Sequence, residues 1–191
     1  MSLFSYQLEP AECLYGYSRC VAYMIDNDGT IFEKRYIFGL EDEAQLESLA
    51  ICDADSISRI IDDYAEYLES VPRYVNVGCY DGLSYQVKIR DQQVYAINLR
   101  SYDLQAEMEA NRLYYDQYKA MMLSSNILVD LSKAIAAYIE AYAPTFAVDL
   151  RCPQGIFWKL KAVEAMGIAS TAFFVGWTDG FDEKDLREVS G

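Results

Sequence analysis

Ten carboxylates and one cation, Arg59, occupy residues 41–70 of this 191-residue chain, a net of −9 within a whole-chain charge of −14. So many like charges in a short run must reach water, because burying an unpaired carboxylate is prohibitively expensive. The segment must therefore be one-sided, and from Asp55 onward its spacing suits that role. Ile57, Ile60, Ile61, Tyr64 and Leu68 recur at helical period, while Asp55, Asp62, Glu66 and Glu69 fall in an opposite sector with Asp63 at its flank. This predicts an amphipathic helix capped by Asp or Ser and closed at Val71-Pro72. Glu41, Asp42 and Glu43 form an acidic flank upstream, and residues 46–51 between the two read equally well as helix or strand.

The rest of the chain predicts an α+β fold: two antiparallel β-hairpins, a central pair of helices and a C-terminal β-α-β unit around one core. Aromatic and β-branched residues at 17–25 and 30–38 flank the turn Asp26-Asn27-Asp28-Gly29, which gives the first hairpin. A short strand is expected at 74–79. The second hairpin follows, with Tyr85, Val87 and Ile89 on its dry face, a turn at Asp91-Gln92, and Tyr95, Ile97 and Leu99 on the returning strand. Helices are expected over 103–123 and 127–142, with a break and new cap at Ser124-Ser125-Asn126. Beyond Pro144 the expected order is a strand at 145–150, a helix at 156–166 and a strand at 168–175. Residues 1–178 then make a single domain, followed by an acidic tail or short helix at 179–191. Of the seventeen tyrosines, Tyr64, Tyr85, Tyr95, Tyr118 and Tyr138 fall on expected apolar faces.

Composition removes several functions. There is no histidine, which takes away the commonest general base and metal ligand. Neither a phosphate-binding loop nor a dinucleotide fingerprint is present. Asp26-Asn27-Asp28-Gly29 begins like a calcium loop but lacks the later glutamate, and Asp62 with Glu66 is too small a donor set to hold magnesium well. No cofactor and no metal are therefore expected. A charge of −14 opposes direct binding to nucleic acid or to an anionic membrane, both of which call for Lys and Arg. Five cysteines with no Cys-x-x-Cys pair, and a start with no basic-then-apolar leader, make the cytoplasm the expected compartment.

What remains is a basic protein partner. Carboxylates at successive helical turns stand about 5–6 Å apart, on the scale of phosphates along a nucleic-acid strand. The expected function is a non-enzymatic acidic binding protein that occupies the basic groove of a nucleic-acid-handling partner, as a nucleic-acid mimic inhibiting a defence system. The candidate residues are Asp55, Asp62, Asp63, Glu66 and Glu69, flanked by Glu41, Asp42 and Glu43. The same charges suit an immunity protein that neutralises a basic toxin, and equally the plain solvated side of a helix. A named rival is the hairpin carrying Lys88, Arg90 and Arg100, which would use up the acidic stripe by packing near it.

One segment points elsewhere. Val148-Asp149-Leu150-Arg151-Cys152-Pro153-Gln154-Gly155 reads as a strand turning into a helix, where the helix dipole would lower a cysteine pKa. Locally it resembles the bacterial sulfur-carrier family, whose motif is Cys-Pro-x-Pro at such a turn and whose cysteine carries a persulfide. Here Gly155 replaces the second proline, the Gly-Leu usual before the motif is missing, and the likeness covers about thirty of the 191 residues. It implies a thiol carrier or transferase using Cys152.

Overall fold

The computed structural model describes residues 2–9, 19–37, 44–78 and 84–151. Seven strands are β1 (Ser2–Glu9), β2 (Arg19–Asp26), β3 (Thr30–Ile37), β4 (Gln45–Ile51), β5 (Tyr74–Asn76), β6 (Ser84–Ile89) and β7 (Gln92–Ile97). Five helices are α1 (Ala54–Asp63), α2 (Ala65–Leu68), α3 (Leu104–Ala110), α4 (Arg112–Ile139) and α5 (Pro144–Arg151). The strands form one mixed sheet in the order β4-β3-β2-β1-β6-β7-β5, antiparallel throughout except that β5 runs parallel to β7. These described residues all belong to one compact unit. The expected boundary at 178 and the acidic tail lie outside them.

The β2–β3 turn is held by three local features of its sequence. Gly29 N–H donates to the Asp26 carbonyl at 2.9 Å, Thr30 N–H donates to Asp28 Oδ1 at 2.9 Å, and Gly29 adopts φ +81°. The Thr30 N–H, by stabilising the ionised form, holds the Asp28 carboxyl below its ordinary range. Residues 46–51 resolve as strand: β4 pairs antiparallel with β3, with an irregularity near Ile31 and Phe32 that leaves Leu49 unpaired.

One sheet face is apolar. Phe4, Tyr6, Tyr23, Ile25, Ile31, Tyr85, Val87, Ile89, Val94 and Ala96 are buried there with Leu128, Leu131, Ile135 and Ile139 of α4, Ile57 and Ile61 of α1 and Phe146 of α5. Tyr23 stacks on Phe146 with ring centroids 4.2 Å apart. Burying each such large side chain contributes about 1.5–3 kcal/mol. On the same face Glu33, almost fully buried, accepts from Arg35 Nε at 2.7 Å and Nη2 at 3.0 Å, which lets a carboxylate sit beside Tyr23.

Three expectations are corrected. The turn of the second hairpin is Arg90-Asp91, one residue earlier than expected, so β7 buries Val94 and Ala96 and turns Tyr95 outward. The expected break at Ser124 does not occur, and α4 runs unbroken for 28 residues. Ser124 Oγ donates back to the Ala120 carbonyl at 2.8 Å. Ser125 and Asn126 reach sideways: Ser125 Oγ accepts from Arg100 N–H and donates to Arg100 C=O, and the Asn126 amide does the same for Tyr102. Finally, the expected strand at 145–150 is helix α5, while the remainder of the expected β-α-β unit lies outside the described residues.

By length and composition alone α4 is long and apolar enough to cross a membrane, but half of its most apolar window is buried inside the protein, as a core helix would be. Two turns before its C-terminal end, Ser132 Oγ is fully buried and has no hydrogen-bond partner among the described residues. Ser132→Ala should therefore stabilise the fold by about 1 kcal/mol, since it removes an unsatisfied hydroxyl and adds a better helix former. A denaturation midpoint that stays put or falls would show the hydroxyl to be satisfied.

Candidate acidic interface

The acidic face is built on α1 and α2. Asp53 caps α1, accepting from Asp55 N–H at 3.3 Å and from the Ser56 hydroxyl at 2.6 Å, and these bonds, Ser56 first, hold its carboxyl below the ordinary range. Ile57 and Ile61 anchor the opposite side of α1 in the core, so the carboxylates stand on a fixed base. The helix ends at Asp63, where Tyr64 takes φ −102° and ψ −1°, and α2 resumes for four residues. The expected sector is thus split between two helical segments. Gln92 Nε2 donates to the Leu68 and Val71 carbonyls at 3.1 and 3.4 Å, which ties the end of α2 to β7.

Asp55, Asp62, Asp63, Glu66 and Glu69 are all exposed, but they are not equivalent. Arg90 Nη1 lies 2.7 Å from Asp62 Oδ1, and Arg90 Nη2 donates to the Ser58 carbonyl at 3.2 Å. The hydrogen bond and charge of Arg90 hold the Asp62 carboxyl below its ordinary range. One of the five is therefore engaged within the chain, as the rival reading of the hairpin required. Arg100 does not join it: its Nη2 lies 3.6 Å from Glu107 Oε1. Arg59 serves the N-terminal end of α1, 3.7 Å from Asp53 and donating to the Asp55 carbonyl at 3.2 Å.

Asp55, Asp63, Glu66 and Glu69 make no ion pair within 4.0 Å with any described residue. Asp62 and Asp63 moreover sit in the last turn of α1, where the helix dipole is negative and no basic residue is present. Tyr67, 59% exposed, lies in sequence between Glu66 and Glu69. Beside this face is a shallow groove of about 450 Å³ lined by Ile61, Ala65, Leu68, Glu69, Ile89, Arg90 and Gln92. Glu41, Asp42 and Glu43 lie outside the described residues, and so does Cys152. The strand that the sulfur-carrier resemblance requires just before Cys152 is replaced by α5.

Sequence reasoning missed a second concavity. Val77, Gly78, Arg100, Tyr102, Glu107, Asn111, Tyr114, Tyr115, Tyr118 and Met122 line a cleft of about 350 Å³. Its charges are matched internally: the Arg100 guanidinium lies 4.6 Å above the Tyr102 ring, and Asn111 Nδ2 donates to Glu107 Oε2 at 3.0 Å. The tyrosines at 114, 115 and 118 were the available signal. Nothing in their spacing shows that the Arg100–Tyr102 segment docks opposite them. Among the described residues no group of three or more Asp, Glu, Cys or His converges on a point where a metal ion would sit. The chain matches no protein-family model and no curated protein.

Proposed function

We propose that this chain is a non-enzymatic acidic binding protein whose α1–α2 face occupies the basic groove of a nucleic-acid-handling partner. The observation that supports it is the set of four exposed carboxylates, Asp55, Asp63, Glu66 and Glu69, that make no ion pair with any described residue and stand on a well-anchored helical base. An ordinary solvated helix offsets its acids with cations at neighbouring turns, and here Arg59 alone does so. Glu66 and Glu69, three residues apart on α2 and its C-cap, stand about 5–6 Å from each other, a spacing that suits a groove that binds phosphates, with Asp63 just across the Tyr64 break. Asp62 is removed from the binding set because Arg90 already holds it.

A second reading, an immunity protein covering the active site of a basic toxin, is favoured by Tyr67. An exposed tyrosine among acids is the composition of a protein–protein anchor rather than of a pure phosphate mimic. Both readings place a basic protein opposite the same face.

The test is affinity capture from the host, with salt titration of whatever co-purifies. Reversing charge at Asp63, Glu66 and Glu69 together should weaken capture at least about a hundredfold, since like charges across an interface cost several kcal/mol. Cys152→Ser should leave it unchanged. If only Cys152→Ser abolishes activity, the acidic reading is wrong and the thiol reading replaces it.

A further inference from the structure

Two side-chain bridges tie the β6–β7 turn to the helices. Arg90 reaches α1, at Asp62 Oδ1 (2.7 Å) and the Ser58 carbonyl (3.2 Å), and Gln92 reaches the end of α2, at the Leu68 and Val71 carbonyls. Both side chains line the groove of about 450 Å³, together with Glu69 and the aliphatic residues Ile61, Ala65, Leu68 and Ile89. The groove is thus bounded entirely by described residues. Its walls are fixed, because Ile61, Leu68 and Ile89 are rooted in the core and the two bridges hold the turn against the helices. A preformed concavity with aliphatic walls receives an apolar side chain at little ordering cost.

We infer that this groove takes one aliphatic side chain of the basic partner, presented between Lys or Arg residues that meet the carboxylates around it, the sign of the partner's charge resting on the acidic reading above. The lining has no aromatic ring to stack against, which favours a branched aliphatic group over a planar one. Arg90, the one cation in the lining, is engaged by Asp62. Glu69 lines the groove and makes no ion pair with any described residue, and the same holds for Asp63 and Glu66 on the neighbouring helical turns. The uncompensated charge at the groove is therefore negative. An occupant with both features gains affinity from the apolar walls and orientation from the carboxylates. A second copy of this chain suits the groove badly, because it brings another net charge of −14.

Titration of the full chain with three synthetic peptides, followed by NMR at the Ala65 methyl and the Gln92 side-chain amide, tests the inference. The peptides carry a leucine between lysines, an alanine between lysines, and a leucine between glutamates. The lysine–leucine peptide should shift both signals and bind at least about tenfold more tightly than the lysine–alanine peptide of equal charge, because leucine removes more apolar surface from water. The glutamate–leucine peptide should shift neither. Ala65 is exposed, so Ala65→Trp fills the groove without changing charge, and it should bring the affinity for lysine–leucine down to that for lysine–alanine. If that variant does not fold, the leucine–alanine comparison in the unaltered protein decides the matter. No shift with lysine–leucine, equal affinity for the two lysine peptides, equal binding of glutamate–leucine, or a folded Ala65→Trp protein that still prefers leucine overturns the inference. The acidic reading fails separately, if charge reversal at Asp63, Glu66 and Glu69 leaves the affinity for lysine–alanine unchanged.

Discussion

Gly29→Ala will destabilise the protein by about 3 kcal/mol, combining left-handed strain of about 2 kcal/mol with a lost hydrogen bond of about 1 kcal/mol. Gly29 adopts φ +81°, and a Cβ built there would stand 2.0 Å from the Cys52 carbonyl oxygen. That oxygen belongs to backbone, so relief requires the chain to move. Movement strains the bond from Cys52 N–H to the Gly29 carbonyl, 2.9 Å, which fastens the end of β4 to the β2–β3 turn just before α1 begins. For a domain of this size the thermal midpoint should fall by roughly 6–12 °C. Gly78→Ala is the control: its φ is +69°, but the added Cβ meets the Tyr118 side chain at 2.9 Å, which turns aside more easily than backbone. The gap between the two midpoints isolates the carbonyl clash. Equal losses would mean that strain alone decides both.

The double substitution Ser125→Ala and Asn126→Ala carries the second large effect, and its sign is the informative part. If Ser124-Ser125-Asn126 were a break between helices, as the sequence suggests, two alanines would join them and raise both helicity and stability. In the structure these side chains satisfy the N–H and C=O groups of Arg100 and Tyr102 through four hydrogen bonds of 2.6–3.2 Å. Losing four bonds at about 1 kcal/mol each outweighs a gain in helix propensity of about 1 kcal/mol. The expected outcome is a loss of about 3 kcal/mol with far-ultraviolet helicity hardly changed. A stabilised, more helical variant would contradict it.

The same residues show how much was legible. Ser and Asn in a row are common helix breakers because their side chains compete for nearby backbone. Whether they instead serve a distant segment depends on long-range placement that no local pattern carries. The second hairpin went wrong by one residue. The turn falls at Arg90-Asp91, with Arg90 at φ +52°, rather than at Asp91-Gln92, and a one-residue slip moves every later side chain to the other face. Tyr95 was therefore expected inside and is outside. The return of Leu99 to the core follows Asn98, at φ +53°, which is again invisible to alternation. Residues 145–150 alternate weakly enough to read as strand, yet Phe146, Ala147 and Leu150 are buried at helical spacing.

The acidic helix was the most legible feature. Its apolar stripe of Ile57, Ile61 and Leu68 is buried, because a run so charged has only one way to sit against a core. The hairpin of Lys88, Arg90 and Arg100 was legible as a rival for the stripe, but which cation meets which carboxylate depends on where β6 and β7 end in space, and the break at Tyr64 carries no local signal. What survives of the stripe is narrower: Asp55 at the start of α1, and Asp63, Glu66 and Glu69 around the break.

The most direct measurement of the central claim is the salt dependence of partner affinity for the intact chain and for the variant reversed at Asp63, Glu66 and Glu69. Exposed charges are screened beyond about 8–10 Å at physiological ionic strength, so an interface made by those carboxylates must weaken steeply as salt rises. The account predicts a steep decline for the intact chain and weak, nearly salt-independent binding for the variant. Equal affinity and equal salt dependence in the two proteins would contradict it.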